Sequence, residues 1–240
     1  MKYFGVPAFD KLMREVVACE RCPRLREYCK AIGETKRLAY RDWDYWTKPV
    51  PSFGDPNARV LVIGLAPAAH GANRTGRMFT GDRSGDFLYR ALYETGFASQ
   101  PESRSRQDGL KLTGVYVTAS VRCAPPDNKP APQEFRNCRP YLERELDLLK
   151  EVRVVVALGR IAFDAYLGIM RERGVIRSRS AFAFAHGCEH KIAPGAPVLI
   201  GSYHPSQQNT FTGKLTADMM RQVFERAARL AFPYGMLVMK

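Results

Sequence analysis

The sequence predicts an α/β domain built on a parallel sheet, and three observations point to it. Four short runs rich in β-branched apolar residues punctuate the chain. Helical periodicity fills the stretches between them. The loops that follow three of the runs carry the least ordinary sequence in the chain, where ligands bind in open α/β sheets.

The strands are read at 59–64 (RVLVIG), 115–121 (VYVTASV), 152–158 (VRVVVAL) and 198–203 (VLIGSY). Their near-continuous apolar character suits strands covered on both faces. Ahead of them, 8–18 spaces Leu12, Val16 and Val17 as one helical face. Further helices are expected near 85–95, 133–149 and 161–173, with a last one at 215–230. The Pro- and Gly-containing stretch 49–56 is a loop.

At 240 residues the chain is read as a single domain, 1–240. No apolar stretch is long enough to span a bilayer, and the first residues lack the apolar core of a signal peptide, so a cytoplasmic, membrane-free protein is expected. A formal net charge of +13 favours a polyanionic partner, because Lys and Arg release counterions from a phosphate backbone. No repeat or coiled coil suggests assembly, so a monomer is expected.

The loop after the first strand reads GLAPAAHGANRTGRMFTGD over 64–82. Small residues at Ala66 and Ala68, beside Leu65, let backbone approach a ligand closely. Phe79 offers a flat face for a base, or a plug for the core. Arg74 and Arg77 are candidate phosphate contacts. The loop is neither a P-loop nor a G-x-G-x-x-G fingerprint. Asp82 precedes a helix, so it is either an N-cap or the carboxylate that positions water or stabilises a cationic sugar.

The loop after the last strand reads HPSQQNTFTGK over 204–214. Pro205 holds His204 extended, so its imidazole projects from the strand end. A histidine aimed at a carbonyl oxygen would stabilise the charge left on a departing base. Asn209 carries a donor and acceptors suited to a pyrimidine edge. Ser206, Gln207 and Lys214 are candidate DNA contacts, and Gln208 a second wedge candidate.

These two loops closely resemble the signature motifs of the uracil-DNA glycosylase superfamily, with the HPS motif at His204, Pro205 and Ser206 and the closest likeness to family 5. The resemblance implies a three-layer α/β/α sandwich around a small, mainly parallel four-stranded sheet. It implies base flipping and hydrolysis of the N-glycosidic bond, leaving an abasic site. Phe79 takes the family's stacking position, Asn209 its base-edge contact and His204 the role of stabilising the leaving base. Leu65 and Ala68 stand where many relatives place a polar residue that handles water, and Ala119 where family 4 places an asparagine. That loss implies a broader substrate range, hypoxanthine included, and leaves Asp82 and Asn128 as the substitutes. Asn128 is otherwise a turn asparagine. A monofunctional glycosylase is expected, because strand cutting needs an amine poised at the sugar and Lys214 is the one lysine within the signature loops.

Six cysteines in a reducing compartment argue for metal or catalytic use rather than disulfides. Cys19 and Cys22 form a C-x-x-C pair, and Cys123 and Cys138 a second, wider pair. Their thiolates could hold a [4Fe–4S] cluster or zinc, and spacing does not decide between them. The resemblance implies the cluster, clamping the segment of about 1–50. Cys29 is read as an ordinary thiol, and Cys188, flanked by His186 and His190, as part of a surface turn. The competing function is a non-catalytic, cluster-bearing nucleic-acid-binding protein. A third class is a zinc hydrolase acting on another substrate.

Overall fold

The computed structural model describes residues 3–235. Its sheet has six strands, β1 (Phe53–Gly54), β2 (Val60–Gly64), β3 (Val115–Ala119), β4 (Val154–Leu158), β5 (Glu189–Lys191) and β6 (Val198–Ser202), in the order β1-β3-β2-β4-β6-β5. The four expected strands form the parallel centre, β3-β2-β4-β6. The sheet is wider than the expected four strands because β1 and β5 add antiparallel edges. These edges have two and three residues, too short to leave a periodic signal.

Alternation along the central strands sorts their side chains onto two faces. Val60, Val62, Val115, Val117, Val154 and Val156 pack with Leu88 of α4 (Arg83–Glu94) and Val223 and Phe224 of α8 (Ala217–Ala231). Leu61, Ile63, Tyr116, Val155 and Ala157 pack with Leu142 of α5 (Pro132–Leu148) and Phe163 of α6 (Arg160–Glu172). Burial on both faces explains the uninterrupted apolar runs. The chain leaving β2 turns toward the first face, and the chains leaving β3 and β4 turn toward the second. The carboxyl end of β2 is therefore a topological switch point.

Helix α1 (Pro7–Val17) packs on the α5 side through Leu12, Met13 and Val16, against Tyr141. The sequence reading left 23–35 unassigned, and it forms α2 (Pro23–Thr35). Two short helices complete the fold, α3 (Ala72–Thr75) and α7 (Gln207–Phe211), one inside each signature loop.

One buried polar network stiffens the second face. Glu145 of α5 is fully buried and pairs with Arg122, while Thr118 and Tyr116 donate to it at 2.7 and 3.0 Å. A buried charge tolerates that position only with its partners in place.

Candidate active site

The signature loops meet at the carboxyl edge of the sheet. Phe79 is buried with φ +52, a backbone conformation that aromatic residues rarely adopt. That twist lays its ring against Gly64, where an added Cβ would sit 2.6 Å from Cζ. The ring lies 6.1 Å from the His204 imidazole, centroid to centroid, at an interplanar angle of 35°. The stacking candidate and the leaving-group candidate, 125 residues apart in sequence, thus lie side by side.

His204 is half-buried and follows directly on β6. The Gly159 N–H bonds the Ser202 carbonyl at 2.7 Å, which keeps the neighbouring strand end flush with it. Desolvation pulls the His204 pKa down to about 4, so the ring is neutral at pH 7 and offers one N–H. Asn209 braces this loop by donating from Nδ2 to the His204 carbonyl at 2.8 Å. One of its two amide hydrogens is thereby engaged, which leaves the other, together with Oδ1, able to read a base. Ser206 caps α7, accepting from the Asn209 N–H at 3.3 Å.

Of the two roles open to Asp82 in the sequence, the structure shows the helix cap. Its Oδ1 accepts from the Gly85 N–H at 3.0 Å, a helix N-cap on α4. Its Oδ2 faces Gly71, where an added Cβ would lie 1.8 Å away, so only glycine fits opposite the carboxylate. Desolvation raises the Asp82 pKa, against the lowering effect of the cap donors and of Arg74. Leu65, Ala66 and Ala68 are half-buried along the same loop. The Leu65 carbonyl is bonded by the Val121 N–H at 3.0 Å, and Ala68 accepts from Gly71 and Asn73 at 3.2 and 3.1 Å. Ala119 pairs with Gly64 at the sheet end.

Asn128 sits in the loop after β3. It is exposed, with φ +57, in the single turn of 3-10 helix at Pro126–Asn128. Among the described residues no hydrogen bond joins its side chain to Asp82, Phe79 or His204.

The structure corrects the expectation that Arg74 and Arg77 meet phosphates, since each is only 3% exposed. Arg77 makes a bidentate pair with Asp108 at 2.8 and 2.6 Å and bonds Thr80 and Ser103. Burial works to raise the Asp108 pKa, but Arg77 and the N–H groups of Leu110 and Arg104 outweigh it and hold it at about 2. Arg74 donates to the carbonyls of His70 and Gly81. The charge partner of Arg77, Asp108, comes from a segment 31 residues away, which the local sequence does not reveal.

The exposed surface belongs to the other loop. Gln207, Gln208 and Lys214 are exposed, and the Lys214 ammonium sits 4.9 Å from the Tyr203 ring centroid. Sequence reasoning missed Phe211, which is 63% exposed with the Arg83 guanidinium 4.4 Å from its ring centroid. It also missed the aromatic strap of Tyr40, Trp43, Tyr45 and Trp46, whose density over seven residues was the available signal. Tyr45 hydrogen-bonds His70 Nδ1 at 3.0 Å.

The cysteines gather where α2, the loop after β3 and α5 meet. Cys22, Cys123 and Cys138 are buried in one cluster, and Cys19 is half-buried beside it. Desolvation, helped by the neighbouring Cys22 and Cys19 thiols and opposed by Arg122, lifts the Cys138 pKa to about 11. Cys29 joins the same cluster, with its Sγ 3.6 Å from the Ala124 carbonyl. Among the described residues, no three His, Cys, Asp or Glu side chains converge tightly enough to hold a single metal ion. His190 instead bonds the Ala183 carbonyl at 2.9 Å, and His186 accepts from the Tyr203 N–H at 3.2 Å.

The sequence model of the uracil DNA glycosylase superfamily matches residues 51–228. A type-5 uracil-DNA glycosylase of Thermus thermophilus is 52% identical over 92% of this chain and 98% of its own length. One from Mycobacterium leprae is 46% identical over 95% of this chain and 97% of its own. A type-4 enzyme from Sulfurisphaera tokodaii is more distant, at 28% over 64% of this chain and 55% of its own.

Proposed function

This chain belongs to the uracil DNA glycosylase superfamily, in its type-5 branch, and from that premise we propose that it flips damaged bases out of DNA and excises uracil and other deaminated bases, hypoxanthine among them. The observation that carries the reading is the approach of the Phe79 and His204 rings to 6.1 Å between centroids. The flipped base stacks on the Phe79 ring. Water attacks C1′ of the deoxyribose, the bond from C1′ to the base nitrogen breaks, and its electron pair leaves with the base. The neutral His204 N–H donates to a carbonyl oxygen of the departing base, where the negative charge collects. Neutrality suits this task, because a donor with a pKa of about 4 stays in one protonation state through the working pH range. Asp82 holds the attacking water or steadies the cationic sugar, and the water's proton is released. Asn209 reads the base edge with Oδ1 and its remaining amide hydrogen.

The DNA approaches over α7, with Ser206, Gln207 and Lys214 at the backbone and Phe211 beside them. A protein that only binds nucleic acid is disfavoured by the intact pairing of Phe79 with His204. A [4Fe–4S] cluster is proposed on Cys19, Cys22, Cys123 and Cys138. Four thiols from three segments, three of them buried in an otherwise apolar cluster, are the right donor set. A tetrahedral zinc needs its donors drawn to about 2.3 Å from one ion, whereas cluster thiolates bind different irons and stand farther apart. When bound, the cluster acts as a structural clamp between α2 and α5. Iron analysis together with the visible absorbance of purified protein tests this, and zinc without iron refutes it.

The function is tested with an end-labelled oligonucleotide carrying one uracil, incubated with protein and then treated with hot alkali, with a hypoxanthine substrate beside it. Alkali-dependent cleavage at uracil is the expected result. Strand breakage without alkali would mean lyase chemistry. Cleavage at neither base by folded protein would overturn the reading.

A further inference from the structure

We propose that Arg74 is a positioning residue for base excision: held between Tyr40 and Trp43, it ties together the two ends of the loop over residues 70–81 and so fixes the backbone from which Phe79 and Asp82 act. The proposal rests on the reading that these two residues serve excision.

The geometry is that of a clamp. Arg74 Nε donates to the His70 carbonyl at 2.8 Å, and Nη2 donates to the Gly81 carbonyl at 2.7 Å. Those carbonyls stand at the two ends of the loop, and Gly81 immediately precedes Asp82. The guanidinium carbon lies 3.9 Å from the Tyr40 ring centroid and 4.1 Å from that of Trp43. Nη1 is buried without a hydrogen-bond partner, so the two π faces supply much of what offsets its lost hydration. Only a planar fork aims two donors at two separate carbonyls while stacked; a lysine in this slot reaches one.

The clamp also reaches the cysteine-bearing helix. The Trp46 and Thr47 N–H groups bond the carbonyls of Arg74 and Asn73 at 3.0 and 3.1 Å. Arg26 of α2 then bonds the Thr47 carbonyl at 2.7 Å, and Asn73 Nδ2 bonds the Cys29 carbonyl at 3.3 Å. The strap and α2 thus grip the loop at two successive residues, Asn73 and Arg74. This gives the N-terminal segment a physical route to the reacting groups.

A charge effect accompanies the clamp. Asp82 is faced by Asp86 and the N–H groups of Ser84 and Gly85 from α4, and by the Arg74 cation from α3. Arg74 in turn is faced by Tyr40 and Tyr45 from the strap and by Asp82. Removing the cation leaves Asp82 easier to protonate.

The test compares wild type, Arg74→Met and Arg74→Lys in single-turnover uracil excision across pH, with thermal melting as a folding check. Binding to an oligonucleotide carrying a stable abasic-site analogue is titrated over a salt series in parallel. Arg74→Met is expected to lose about 10²-fold in rate, the scale of an ångström of misplacement. The acid limb of its pH profile should move to higher pH. Its DNA affinity and salt slope should match wild type. Arg74→Lys should restore the limb but not the plateau. A folded Arg74→Met with the wild-type rate overturns the proposal, and so does a salt slope reduced by about one, the mark of a phosphate contact. If the methionine variant does not fold, Arg74→Lys decides, since a wild-type plateau in it is equally fatal. Wild-type protein that fails to excise uracil refutes the underlying reading instead.

Discussion

The two signature loops rise from the same edge of the sheet and are built in opposite ways. In the loop after β2, every residue from 71 to 80 is buried, and two arginines are spent on internal clamps. In the loop after β6, Gln207, Gln208, Phe211 and Lys214 are exposed around a helix of five residues. On the proposed function, the first loop holds Phe79 and Asp82 still, while the second carries His204 and presents a surface to DNA. Basic residues therefore do different work in the two places. Arg74 and Arg77 serve architecture, while the exposed Lys214 and the +13 net charge, on the proposed function, attract DNA.

The largest effect that would sharpen this contrast lies in the buried loop. Asp82→Asn keeps an N-cap for α4 but removes the carboxylate. It should leave thermal stability close to wild type while single-turnover excision falls by about 10²–10³-fold. An unchanged rate would reduce Asp82 to a cap.

A second effect concerns the Arg77 clamp. Asp108→Asn leaves a buried guanidinium without its charge partner, and urea unfolding should register a loss of about 3 kcal/mol. The wild-type pair also carries a pH signature. Asp108 is depressed in the folded state to about 2, against about 3.9 for a free aspartate. Its contribution is therefore present above about pH 4 and lost as pH falls toward 2. Melting curves over that window should steepen in wild type relative to Asp108→Asn.

The smallest effect belongs to the exposed loop. Lys214→Ala should leave the excision rate intact at saturating DNA and lower the salt slope of binding by about one. A rate defect without a binding defect would blur the division between the loops.

Much of this was legible in the sequence, for identifiable reasons. The four central strands announce themselves because both faces are covered, and the two loops because their small residues, Phe79 and His204 are unusual at strand ends. Helix α2 was not legible: its buried face is Leu25, Arg26 and Cys29, only one of them a conventional apolar residue. Arg77 misled because its partner Asp108 lies 31 residues off in sequence, and Arg74 because the rings that cover it, Tyr40 and Trp43, come from an earlier segment. Asp82 stayed open between cap and catalyst because a carboxylate has two oxygens, and here they face different groups.

The central claim is that His204 draws off the charge of the departing base. Its most direct test is single-turnover uracil excision by His204→Ala beside wild type, with DNA binding measured on the same oligonucleotide. The account predicts a loss of about 10²–10³-fold in base release with DNA affinity unchanged. Base release at the wild-type rate, or a defect confined to binding, would contradict it.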